Sequence, residues 1–219
     1  MSRNIELSVG EFYHIYNRGT EKRKIFLAKK DYDRFLALLY LCAGDKAVNL
    51  REQGTTIQDV IKIEREELIV DICAYCLMPN HFHLLLHEKI PDGISRFMQK
   101  LLTAHTMYFN KKYHRNGALF QGKFKATHAD SDEYLKYLIS YIHLNPIKLI
   151  DPNWKENGIG NKKEAKEFLE TYQCSSYLDF LNRERAEEVL INRKILPDYF
   201  ETPKDFESCV TEWLSYKDL

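Results

Sequence analysis

The chain has 219 residues, a mass of 26.0 kDa, 44% hydrophobic and 29% charged side chains, enough apolar material for a packed core, which excludes a disordered tail. No run approaches the roughly 18 apolar residues a membrane helix needs, and the start MSRNIELSVG lacks the apolar core of a secretory signal, so a soluble cytoplasmic protein without membrane partners is expected. The 32 basic and 32 acidic side chains cancel, but unevenly. Residues 96–150 carry 9 basic against 3 acidic groups, whereas 1–95 carry 13 against 14 and 151–219 carry 10 against 15, so a neutral total hides a middle segment able to attract phosphate. Five scattered cysteines predict reduced thiols, not a disulfide framework.

Taken in order, Phe12-Tyr13-His14-Ile15-Tyr16-Asn17 reads as a strand that stops at Arg18-Gly19. Asp31 precedes a run with Phe35, Leu36, Leu38, Leu39 and Leu41 at helical spacing, ending at Gly44. Residues 44–68 are polar and read as an insertion or long connection, with a short helix between Ile57 and Ile63. The run 69–77 is strongly β-forming; Met78-Pro79-Asn80 breaks it and 81–87 resumes it, which predicts two strands joined by a tight turn. After Pro91-Asp92-Gly93, apolar residues from Ile94 to Phe109 mark one face of a long helix. Residues 119–127 alternate, with Phe120 and Phe124 on one side and Gln121, Lys123 and Lys125 on the other, the pattern of a half-buried strand with a basic wet face. Asp130 and Glu133 fit a capping box for a helix that Pro146 stops after Asn145. The order predicts an α+β domain over residues 1–150, a mainly antiparallel sheet with helices packed on it as in ferredoxin-like folds. An acidic helical extension over 151–219 follows, in which no chemistry is legible.

Two places carry chemistry. Side chains alternate along a strand, so His81 and His83 point the same way and can share one metal ion while Phe82 anchors the strand behind them. His87 shares their face but lies four residues on, about 13 Å along the strand, too far for the same ion. On the helix that follows Asp130, Tyr137, Tyr141 and Asn145 form one stripe at intervals of four. A tyrosine stripe is more often core than catalyst; a polar Asn145 at its end is what raises the catalytic reading. Its amide oxygen could complete a set of two imidazoles and one oxygen, leaving positions open for substrate and water.

The strand MPNHFHLLL, a long amphipathic helix, GALFQGKFK and a helix with YIHLNP strongly resemble the single-tyrosine HUH transposases (the IS200-like transposases), especially the REP-associated tyrosine transposase branch. YHIYNRG near the start and Cys174-Ser175-Ser176-Tyr177 are similar to that branch too. The resemblance implies that His81 and His83 bind a divalent metal, Mg²⁺ or Mn²⁺, that Asn145 adds a ligand, and that Tyr141 is the nucleophile. The implied reaction is attack on a phosphodiester of single-stranded DNA, in hairpin-forming substrates, giving a 5′-phosphotyrosine that a 3′-hydroxyl can later reverse to join strands. Phenol has a pKa near 10, so only about one part in a thousand is phenolate at neutral pH, and the nucleophile needs help. Gln121, Lys123 and Lys125, with Lys111, Lys112 and Arg115, could supply a basic track for the DNA. Asn17 and Arg18 join it by family likeness alone. The sequence leaves monomer or homodimer open.

Rival readings are a metal-dependent hydrolase that activates water at His81 and His83, for which Tyr141 would be dispensable, and a domesticated, non-catalytic DNA-hairpin-binding regulator. A zinc or thiol-redox reading of Cys73-x-x-Cys76 is weak. On a regular strand the two face opposite sides, and no second pair stands at zinc-site spacing.

Overall fold

The computed structural model describes residues 6–47, 54–65 and 67–213. A four-stranded antiparallel sheet is built from β1 (Phe12–Arg18), β2 (Val70–Met78), β3 (His81–Glu88) and β4 (Lys125–His128), in the order β2-β3-β1-β4. Helix α1 (Lys29–Cys42) connects β1 to β2, with the short α2 (Ile57–Val60) in the same connection, and α3 (Gly93–Lys112) connects β3 to β4. This is the βαββαβ connectivity and strand order of a ferredoxin-like α+β fold. Residues 48–53 and 66 of the expected 44–68 insertion lie outside the described residues.

Alternation along the strands divides the molecule into two cores. Tyr13 and Ile15 of β1 and Phe82, Leu84 and Leu86 of β3 face one way, into a core shared with Phe35, Leu38 and Leu39 of α1 and Phe97, Met98 and Leu101 of α3. Gly93 opens α3 because the chain passes against β2 there: a Cβ at this position would run into the Ile69 carbonyl oxygen.

The opposite face is covered by α4 (Asp132–Leu144), which Ser131 caps by accepting from the Tyr134 N–H at 3.3 Å. The residues beyond complete this second core: α5 (Trp154–Asn157), α6 (Lys162–Thr171), α7 (Tyr177–Phe180) and α8 (Pro203–Trp213) supply Trp154, Leu169, Tyr177, Phe180 and Phe206. They are stitched to the free edge of β2, where Leu77 N–H donates to the Cys174 carbonyl at 2.8 Å and Ser176 N–H to the Tyr75 carbonyl at 3.0 Å. The Ser176 hydroxyl also takes the Tyr75 N–H and lies 2.7 Å from Nε2 of His143 on α4.

Four expectations change. The cap of α4 is Ser131, one residue after the expected Asp130. Residues 119–124 form no continuous strand: Phe120 makes an isolated bridge to Gly19, and the chain turns at Gly122, where φ is +72°. Phe120 and Phe124 both reach the first core, so the spacing that imitates alternation is produced by a turn. Pro146 ends the α-helical bonding but not the coil, which tightens into a 3₁₀ segment over Asn145–Leu149. Cys73 and Cys76 do not face opposite sides. A β-bulge between Ile72 and Ala74 adds a residue and shifts the phase, so that both thiols enter the second core. Burial raises both thiols well above their ordinary pKa, which makes them poor thiolates.

Candidate active site: two imidazoles and a phenol in a basic cleft

The residues that alternate onto the second face of the sheet make the site. On β3 these are His81, His83 and, farther along, His87; on β1, paired in register, Tyr16 lies opposite His83 and Arg18 opposite His81, with His14 opposite Leu85. Lys125 of β4 pairs with Tyr16. Helix α4 crosses above, and its Tyr141 ring stands edge-on to His83, with centroids 5.6 Å apart, and 5.8 Å from His14. Together with Asn17, Gln121, Asn145 and Lys148, the residues Tyr16, Arg18, His81, His83, Lys125 and Tyr141 line a cleft of about 260 Å³. Arginine and lysine occur in this lining and no aspartate or glutamate does, so the cleft suits an anion.

Each imidazole is held through one nitrogen. His81 Nδ1 lies 2.6 Å from Asn80 Oδ1, and His83 Nδ1 lies 2.8 Å from His14 Nε2. With Nδ1–H donated to those acceptors, the lone pair of each ring is at Nε2, the arrangement of a metal-binding histidine oriented by its other nitrogen. Burial, aided by Arg18 and Lys148, pushes the His81 pKa down to about 4; burial and then His14, His81, Lys155 and Lys148 push His83 well below its ordinary value. Both are therefore neutral at physiological pH, as ligands must be. Among the described residues no group of three histidine, cysteine, aspartate or glutamate side chains could hold an ion. Two imidazoles plus the oxygen of the Asn145 amide, whose Nδ2 donates to the Tyr141 carbonyl at 2.8 Å, fit a divalent ion that shares its sphere with substrate and water.

The Tyr141 phenol is half-buried. Burial, followed by the neighbouring Tyr16, raises its pKa, while a hydrogen bond with the Asn145 side chain lowers it. Tyr137, one turn earlier, has its ring 5.8 Å from that of Tyr141 and does not line the cleft.

The expected DNA track divides. Asn17, Arg18, Gln121 and Lys125 line the cleft; Lys111, Lys112, Lys123 and Arg115 do not. Asn17 is buried, donating to the Gly122 carbonyl at 3.2 Å and accepting from the Arg18 N–H at 2.8 Å, so it holds the turn that carries Gln121. Lys112 is paired with the buried Asp31 at 2.6 Å and Arg115 donates to Asn110 at 3.3 Å. Both belong to the α3 end on the other layer of the sheet, where Lys112 fastens the first core. Lys123 borders a separate depression with Leu7, Asp92 and Ser95. Sequence reasoning missed His14, Tyr16 and Lys148. The first two were within reach, because strict alternation over FYHIYNR sets them beside Arg18 on one face; Lys148 depends on the 3₁₀ turn after Pro146.

No helix among the described residues is long and apolar enough to cross a membrane. No curated protein matches the chain. Among solved structures, a REP-associated tyrosine transposase bound to a REP hairpin is similar in fold, with a TM-score of 0.52 over 85% of this chain and 90% of that one at 13% identity. The family model described as "Transposase IS200 like" matches residues 12–145, a span that runs from the first residue of β1 to Asn145 and so takes in both histidines and the phenol, and the chain belongs to that family.

Proposed function

We propose that this transposase nicks and rejoins single-stranded DNA at hairpins through a 5′-phosphotyrosine on Tyr141. The observation that carries the reading is the meeting of the Tyr141 ring with His83, at 5.6 Å, inside a cleft lined by cations and free of carboxylates. In this reading the Tyr141 oxygen attacks the scissile phosphorus, a P–O(Tyr) bond forms, and the P–O3′ bond breaks. The phenolic proton leaves to solvent, the departing 3′-oxygen takes one up, and the 5′ end stays on the protein. One ester replaces another of similar energy, so a 3′-hydroxyl can reverse the step without ATP. A Mg²⁺ or Mn²⁺ ion held by His81, His83 and Asn145 would supply Lewis-acid polarisation of a phosphate oxygen, a contribution of several kcal/mol. Asn145, hydrogen-bonded to the helix that carries the phenol, orients it, and Arg18, Lys125 and Lys148 hold the DNA phosphates. The fold likeness to a hairpin-bound transposase supports the choice of a hairpin substrate.

Incubating a labelled single-stranded hairpin with the protein and Mn²⁺, then separating the products on a denaturing gel, tests the reading: a protein-linked fragment is expected, and its absence across hairpin sequences and metals would favour the regulator. His81→Ala should abolish the linked fragment and Mn²⁺ binding while hairpin affinity stays within about threefold, because binding rests on phosphate contacts. His14→Ala removes the group that orients His83 and should weaken Mn²⁺ binding about 10- to 100-fold, measured by calorimetry without DNA. Unchanged Mn²⁺ affinity would show that His83 needs no such support.

A further inference from the structure

The family match ends at Asn145, yet one side chain beyond it reaches the reactive group. Trp154 is buried in the second core and anchors the single turn of α5, which sets the next residue, Lys155, against α4. The Lys155 ammonium stands 4.0 Å from the centroid of the Tyr141 ring and 5.6 Å from that of Trp154. No carboxylate of the described residues lies within ion-pair distance of it, although eleven other pairs of a basic side chain with a carboxylate, from Arg23–Glu21 to Arg185–Glu187, are formed among the described residues. Half-buried charge without an ion-pair partner is costly, and here the face of the Tyr141 ring, with the more distant charge of Glu156, offsets it. Burial, with Lys148 nearby, lowers its pKa to about 8, so at neutral pH it remains mostly an ammonium.

We propose that Lys155 is a positioning residue for the nucleophile: the C-terminal segment completes the active site by pressing a cation on the face of the Tyr141 ring and fixing the direction of its phenol. The inference rests on the assignment of Tyr141 as nucleophile, and it gives the segment after residue 150 a part in the chemistry. The second anchor of that segment supports it. Ser176, bonded to β2 and to His143 of α4, holds the extension to the same helix that carries Tyr141, so the cation and the ring are mounted on one packed unit.

The test compares Lys155→Met, which keeps length and loses charge, with Lys155→Arg, which keeps both. In the DNA-free protein labelled with ¹³C-tyrosine, the Tyr141 ring signal, identified by its loss in Tyr141→Phe, should shift in Lys155→Met and stay near its wild-type position in Lys155→Arg. Single-turnover formation of the protein–DNA link under saturating hairpin should fall about 10- to 30-fold in Lys155→Met and within about threefold in Lys155→Arg, while the hairpin Kd changes less than about twofold. A Tyr141 signal that ignores the Met substitution, an unchanged rate, or equal losses in both variants would overturn the proposal. A Kd that rises as much as the rate falls would also overturn it, since Lys155 would then be holding DNA. If wild-type protein forms no link at all, the nicking assignment fails, and the ring signal still decides whether Lys155 clamps Tyr141.

Discussion

Tyr141→Phe should reduce the protein–DNA link by at least about a thousandfold, to below detection, while hairpin binding stays within about twofold. The substitution removes one oxygen and keeps the ring, so the edge-on contacts with His83 and His14 and the packing under α4 survive. The same experiment separates the rivals. A hydrolase using activated water would still cut, releasing fragments without attached protein. A hairpin-binding regulator would show no link in either form. Tyr137→Phe is the control: this ring is one turn away and outside the cleft, and the variant should form the link at nearly the wild-type rate.

Asp31→Asn should cost about 3 kcal/mol of stability and lower the Tm by roughly 6–12 °C, measured by calorimetry. The carboxylate is fully buried and accepts from Leu27 N–H at 2.7 Å, Ala28 N–H at 2.9 Å, Tyr108 OH at 2.9 Å, Tyr113 OH at 2.7 Å and Lys112 Nζ at 2.6 Å. An amide of the same shape would turn a donor toward donors and leave the ammonium without its counter-charge. Burial by itself would raise the Asp31 pKa; Lys112, the Leu27 N–H, the Tyr113 hydroxyl and the Ala28 N–H outweigh it and hold the group down at about 2. The folded-state value lies below the ordinary 3.8, so this stabilisation is present above about pH 4 and lost as pH falls through about 2. The gap in stability between wild type and Asp31→Asn should therefore narrow over that interval, and a gap constant from pH 7 to pH 2 would show that charge is not what Asp31 contributes.

Much of this molecule could be read before any coordinates. Strands β1 and β3 alternate and helices α1, α3 and α4 carry helical spacing, so the faces they bury are legible, while β2 is legible as a strand from its β-forming composition and is buried on both faces. His81, His83, Tyr141 and Asn145 meet because strand alternation and helical spacing are local rules, and the two elements that obey them pack on the same face. What was not legible depended on three-dimensional arrangement. Nothing in the spacing of Lys111, Lys112 and Arg115 tells which layer of the sheet their helix covers, and Lys112 turns out to serve Asp31, 81 residues earlier. The bulge at Cys73 shifts a phase that sequence alone reads as regular. The extension after residue 150 looked empty of chemistry because Lys155 is an ordinary lysine until folding sets it on the Tyr141 ring.

In the proposed reaction the phenol beside the paired imidazoles becomes esterified to DNA. Protease digestion of the hairpin reaction, followed by mass spectrometry of the nucleotide-bearing peptide, addresses it most directly. The expected result is a single modified site, Tyr141, joined through phosphate to the 5′ carbon of the downstream DNA. A nucleotide on Tyr137 or any other residue, or a linkage through a 3′-phosphate, would contradict the account.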